Sequence, residues 1–113
     1  MTAGEADLAA ALASLDRRAR AYSPAAWQAR GRADIALGLA ARLVELARAA
    51  GDPVPADVGA PDIAPHGIAD VLAVLGLDLM AALAARPNAE LTAAAIDAVT
   101  DALTALDATS PRL

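Results

Sequence analysis

Residues 65–86 read PHGIADVLAVLGLDLMAALAAR and form the most apolar stretch of the chain. When this stretch is wound as an α-helix, apolar side chains lie on almost every side, which is typical of a helix that is buried on most sides. Asp70 and Asp78 interrupt it, and an Asp near the middle of a membrane costs roughly 2.5–3.5 kcal/mol. The stretch therefore predicts a buried helix of a soluble protein, and no membrane association is expected.

The composition of the whole chain favours helices. Of its 113 residues, 35 are Ala, the best helix former, and there is no Phe, one Trp and one Tyr. Ala is depleted in β-strands, and the high apolar fraction of 58% excludes intrinsic disorder. The sequence predicts an all-α fold in one domain over residues 1–113. All nine basic residues are Arg, a usage typical of a GC-rich genome and hence of a bacterial source.

Apolar periodicity and helix-end signals divide the chain. Ser23 followed by Pro24 is typical of an N-cap and a first helical residue, and Asn88 after Pro87 is a second N-cap signal. Prolines 53, 55, 61 and 65 exclude regular helix from the segment between them. The sequence therefore predicts a four-helix bundle of two helical hairpins joined by a Pro-rich loop, residues 51–64. An abrupt corner between the first two helices is the alternative to the first hairpin. The predicted helices are 5–21, 24–50, 65–86 and 89–108.

The apolar helix 65–86 also predicts association. In a lone four-helix bundle of this size every helix normally exposes one face, so either the loop or a second chain should cover this one. We expect a homodimer, or a complex with another protein, in which apolar side chains of the second and third helices lie at the interface. The candidate interface residues are Trp27, Leu37, Val44, Leu72, Leu75, Leu79, Met80 and Leu83.

Asp78 is the polar residue that fits the apolar helix least well. It projects near Val71 and Ala82, and a buried carboxylate must be paired or protonated. Arg32 and Arg42 lie near the main apolar face of the second helix. The sequence therefore predicts a buried ion pair between Asp78 and one of these two arginines. The alternatives are exposure of Asp78 at the helix rim and a catalytic or ligand-binding role for its carboxylate.

Four arginines cluster around the predicted first turn between helices: Arg17, Arg18, Arg20 and Arg30. Such a cluster can contact an anion, and with Tyr22 and Trp27 nearby it could hold phosphates and stack bases. Three of the four also suit the negative end of the first helix. Because the net charge is −5, nucleic-acid binding is not expected.

Residues with catalytic or ligand chemistry are sparse. The chain has no Cys and one His, His66, without metal-ligand spacing around it. Glu90, Asp97 and Asp101 share one side of the last predicted helix, opposite its apolar stripe, which indicates a solvated face. No phosphate-binding loop or nucleophile motif occurs. We therefore expect no metal, no cofactor and no catalytic residue, although an unfamiliar enzyme stays open.

The sequence as a whole favours a non-catalytic helical interaction or regulatory module that acts as a homo-oligomer in the cytoplasm. The alternative is a helical bundle that binds a small molecule in an apolar cavity lined by Ala, Leu and Val, because Ala-rich walls can leave space that larger side chains would fill.

Overall fold

The computed structural model describes residues 2–51 and 64–110. About 86% of these residues are helical and none lies in a strand, so the all-α prediction is confirmed. The predicted loop 51–64 lies outside the described residues except at its two ends. The described elements are α1 (Ala3–Ala21), α2 (Pro24–Gln28), α3 (Arg32–Ala49), a 3-10 turn (Pro65–Gly67), α4 (Ile68–Ala85) and α5 (Ala89–Ala108).

Side-chain caps begin three of the helices. The Asn88 side chain accepts from Leu91 N at 3.0 Å and Ser23 Oγ accepts from Ala26 N at 3.1 Å, so both predicted N-caps are confirmed. α1 begins two residues earlier than predicted because Thr2 and Glu5 form a capping box, in which Thr2 N donates to Glu5 Oε2 at 2.6 Å. This backbone hydrogen bond lowers the pKa of the Glu5 carboxyl below its usual value.

The predicted continuous helix over residues 24–50 is wrong. The chain leaves helical geometry after Gln28, and Arg30 and Gly31 are both left-handed, with φ of 58° and 72°. Glycine adopts this conformation without penalty, whereas for arginine it costs roughly 1–2 kcal/mol. The break turns α2 into a one-turn corner element and lets α3 start in a new direction.

The four longer helices pack in a different order from the chain. α1 contacts α4 and α5, and α3 contacts the same two helices, whereas α1 with α3 and α4 with α5 are not among the principal contacts. The predicted hairpins of consecutive helices are therefore wrong. The short α2 and its two flanking turns carry the chain across the molecule, so a short connection does not force α1 and α3 together.

Contacts at the helix ends fix the directions of the packed helices. Arg18 near the end of α1 pairs with Asp107 at the end of α5, so these helices are parallel. Arg20 of α1 reaches Asp70 at the start of α4, so α1 and α4 are antiparallel. Gly51 after α3 lies against Arg86 after α4, so α3 and α4 are parallel.

The core is built mainly from leucines, with alanines where helices approach closely. Fully buried residues come from all four longer helices, and Trp27 of α2 closes one end of the core. Ala40 and Ala95 are completely buried and leave room for close helix packing. The largest of the fully buried side chains are Trp27, Leu8, Leu43, Leu46, Ile68, Leu79, Leu83, Leu106 and Val99.

Candidate interaction surface

α4 has two apolar faces, and the described helices cover one of them. Its inner face packs on α1 and α3 through Ile68, Leu72, Leu79 and Leu83. The opposite face is exposed: Val74 is 56% exposed and Leu77 is 70% exposed. We call this face the outer stripe; its residues are Asp70, Val74, Leu77, Ala81 and Ala84.

The composition of this segment also matches a membrane span. The stretch Pro65–Ala85 has a mean hydropathy of 2.1 in its most apolar window and is long enough to cross a membrane. Core helices of soluble proteins share these properties. Only 28% of that window is buried among the described residues, so the described helices do not by themselves bury this helix on most sides. The cover that the sequence predicted, from the loop or from a second chain, stays a prediction.

A groove runs along the outer stripe on its α1 side. It has a volume of about 470 Å³, and Leu12, Gly76 and Leu77 lie along it. The helices come close at Gly76, where an added Cβ would lie 3.0 Å from Leu12 Cδ2. The remaining lining residues are Ala9, Ala13, Leu15, Asp16, Arg20, Ala69, Leu72, Ala73 and Met80.

Charged groups close one end of the groove. Arg20 Nε lies 3.0 Å from Asp16 Oδ1, and Arg20 Nη1 lies 3.1 Å from Asp70 Oδ1. The hydrogen bonds to Asp16 and then to Asp70 raise the pKa of Arg20 above its usual value. The guanidinium therefore joins α1 to the start of α4, and the rest of the groove is almost wholly apolar.

The structure separates the predicted interface residues into two groups. Trp27, Val44, Leu72, Leu79 and Leu83 are buried inside the single chain, so their assignment to an interface between chains is wrong.

Leu37, Leu75 and Met80 are partly exposed, and Met80 lines the groove. The sequence reasoning missed Val74 and Leu77 as the most exposed apolar pair. The charged Asp70 could have indicated that this side of the helix faces solvent. Val74 and Leu77 follow it by four and seven residues and therefore lie on the same side.

The predicted buried ion pair of Asp78 is also wrong. Asp78 is exposed and lines a shallow depression of about 380 Å³ beside Gly51 and Arg86. Arg42 Nη1 lies 3.4 Å from Glu45 Oε2 on the same helix. The rim position that the sequence left as an alternative is the one that Asp78 occupies.

Arg32 is buried, but its partners are backbone and hydroxyl groups rather than Asp78. It is 8% exposed, and its Nη1 donates to Ala26 O at 2.9 Å. Its Nε and Nη2 donate to Thr109 Oγ1 at 2.8 Å and Thr109 O at 3.1 Å. The guanidinium also stacks 4.9 Å from the centre of the Tyr22 ring, which makes an edge contact with Trp27 at 5.0 Å. Arg32 thus satisfies carbonyl groups at the ends of two helices.

The four arginines predicted to contact an anion mostly bind groups of their own chain. Arg18 and Arg20 form ion pairs with acidic residues, and Arg17 Nη2 donates to Ser14 Oγ at 3.1 Å. Arg30 lies in the turn before α3, with its Nη1 3.4 Å from Thr109 O. The structure therefore does not gather these side chains into one anion site.

Residues with metal-ligand chemistry are dispersed in the described part of the chain. His66 is exposed in the 3-10 turn, beside a shallow depression that Tyr22 and Trp27 also line. Glu90, Asp97 and Asp101 are exposed on α5, as predicted for a solvated face. Residues 2–51 and 64–110 contain no group of three or more His, Asp or Glu side chains that could hold a metal ion.

Comparisons with known proteins add no family to this description. No family model, no curated protein and no solved structure matches the chain. The outer stripe and its groove are the features of the described structure that point to a function.

Proposed function

We propose that this protein is a non-catalytic helical interaction module that acts as a homo-oligomer in the cytoplasm. In this proposal its four longer helices form one four-helix bundle, and pairs of bundles associate. The observation that carries it is the exposed apolar face of α4, with Val74 and Leu77 more than half exposed. An exposed apolar patch beside a groove on a small protein typically marks a contact with another molecule.

The placement of the charged residues supports a binding role over catalysis. The described carboxylates and His66 are exposed or bonded within the chain, and none lines the middle of the groove. An enzyme site needs polar groups that converge on a reacting atom. The groove instead offers Ala, Leu and Met surfaces, which suit a packed helix.

A small-molecule binder is the second candidate. The groove volume of about 470 Å³ falls in the range of ligand pockets, and its walls are apolar with one charged end. An apolar ligand with a polar head would match this arrangement. The groove is open along its length, however, and Leu77 stands at its exposed edge, which favours a larger partner.

Light scattering coupled to size exclusion tests the proposal on the full chain. We expect twice the chain mass of 11.3 kDa at concentrations of about 100 μM, with dissociation on dilution. A single-chain mass throughout would overturn the homo-oligomer. A single-chain mass together with a rise in melting temperature on adding a long-chain fatty acid would favour the small-molecule binder instead.

A further inference from the structure

We propose that the outer stripe of α4 packs antiparallel against the same stripe of a second copy, with Leu77 at the two-fold axis. This inference rests on the proposed function and specifies its interface. It follows from the spacing, the side-chain sizes and the charges along the stripe.

The spacing of the outer stripe fits a helix–helix seam. Its five residues follow one another at intervals of four, three, four and three, the repeat of a coiled-coil seam. Leu77 lies at the centre, seven residues from Asp70 and seven from Ala84. Antiparallel pairing therefore sets Leu77 opposite Leu77, Val74 opposite Ala81 and Asp70 opposite Ala84 of the second copy.

Side-chain size along the stripe favours this direction. On either side of the central Leu77, the first half carries the larger Val74, whereas the second half carries only Ala81 and Ala84. Antiparallel pairing seats Val74 against the smaller Ala81 on both sides of the Leu77 pair, which suits close packing. Parallel pairing would set Val74 against Val74 and leave a gap between the alanines.

The charges at the two ends of α4 favour it as well. Asp70, at the start of the helix, has a side chain that is 74% exposed, and Arg86 is exposed just after its end. Antiparallel pairing brings Asp70 of one copy to the helix end that carries Arg86 of the other, and two-fold symmetry repeats this contact. Parallel pairing would set Asp70 against Asp70.

The neighbouring surfaces leave room for the second helix. Leu77 borders the groove toward α1, where Ala9, Ala13 and Ala73 form a low wall. Asp78 lies on the other side of Leu77, toward Gly51 and Arg86. A partner helix that leans toward α1 therefore buries alanine surface and leaves Asp78 at the rim.

A lipid surface fits these observations less well than a second copy. Asp70 and Asp78 are both exposed on α4, and an ionised carboxylate is costly in a bilayer. The chain also has a net charge of −5, which anionic lipids repel. Membrane binding is therefore an outcome that the experiment must distinguish.

Sedimentation equilibrium on the full chain tests the position of the interface. Leu77→Asp should weaken the dimer by at least about 100-fold, because it places two carboxylates at a desolvated axis. Leu37→Asp, on the outer side of α3, should leave the dimer intact. If Leu37→Asp dissociates the dimer and Leu77→Asp does not, the proposed homo-oligomer survives and the α4 interface is wrong.

Disulfide trapping tests the direction, since the chain contains no Cys. Leu77→Cys should cross-link to itself under mild oxidation. Ala84→Cys should not, because antiparallel pairing separates the two copies of that position by roughly 20 Å. A mixture of Asp70→Cys and Ala84→Cys chains should yield the mixed disulfide. Efficient self-cross-linking of Ala84→Cys would overturn the antiparallel arrangement.

A vesicle assay completes the test. The wild-type chain should stay in the supernatant when it is sedimented with vesicles of phosphatidylcholine, or of phosphatidylcholine with phosphatidylglycerol. Wild-type protein that is monomeric in solution and pellets with either vesicle, with Leu77→Asp abolishing this, would overturn both the interface and the homo-oligomer.

Discussion

α3 and α4 are both 18 residues long, lie parallel and pack against each other, yet their outer faces differ in kind. The outer face of α3 exposes Asp34, Arg42 and Glu45, whereas the outer stripe of α4 exposes Val74 and Leu77. α3 is therefore an ordinary amphipathic surface helix. α4 has a buried inner face like that of α3 and, in addition, an exposed apolar face that the described helices do not cover.

Substituting the fully buried leucines tests whether the inner faces are equivalent. Leu43 of α3 and Leu83 of α4 both have no exposed surface. Replacing either one by Ala should lower the free energy of unfolding by about 2–5 kcal/mol, because each change removes buried methyl groups and leaves a cavity. Urea denaturation measures both.

Leu77→Ala is the matched control on the outer stripe. Measured at concentrations where the chain is monomeric, it should change the free energy of unfolding by less than about 1 kcal/mol. A loss from Leu77→Ala as large as that from Leu83→Ala would mean that both faces of α4 are core, and the contrast with α3 would disappear.

The starts of the two helices offer a smaller contrast. Neither has a side-chain N-cap, but α3 begins with the buried Arg32, whose three nitrogens donate to Ala26 and Thr109. Arg32→Met should lower the free energy of unfolding by about 2 kcal/mol, because two helix-end carbonyls lose their donors. Arg17→Met, at an exposed site, should lower the free energy of unfolding by less than about 0.5 kcal/mol. Thermal unfolding of the two variants measures both losses. Equal losses would show that the Arg32 bonds do not stabilise the corner.

The two interior glycines give the smallest expected effects. An added Cβ at Gly38 of α3 meets no atom within 4 Å, so Gly38→Ala should raise the free energy of unfolding by about 0.5–1 kcal/mol. At Gly76 of α4 the Cβ would press on Leu12 at 3.0 Å, so Gly76→Ala should gain less or lose stability. Chemical denaturation of the two variants side by side measures the difference. Equal gains would mean that Leu12 moves freely into the groove.

Sequence reasoning succeeded where the physics is local. The N-caps Ser23 and Asn88 lie three residues or fewer from the amides they bind, and α5 has the bounds that were predicted from its cap and apolar stripe. Gly51 follows α3 with φ of 101°, a conformation that favours glycine at a helix end. Local hydrogen bonds and backbone preferences suffice to fix such features.

Sequence reasoning failed where contacts between residues far apart in the chain determine the structure. The break at Arg30 and Gly31 follows residues with good helix propensity, and Arg32 then reaches Thr109, 77 positions away in the chain. Helix propensity is too weak to outweigh such contacts. For the same reason the predicted ion pair between Asp78 and Arg32 was wrong. The rotation of α4 relative to α3 depends on contacts between helices, which no local pattern specifies.

The sequence alone determined that this chain is helical, where several helices begin and end, and that the helix now described as α4 is apolar on nearly every side. Only the tertiary structure decided which side of α4 stays outside. That choice depends on the packing of α4 between α1 and α3, where Leu72, Leu79 and Leu83 fill the space and Leu77 turns to solvent. Burial depends on the combined surfaces of several helices, which the period of one helix cannot specify.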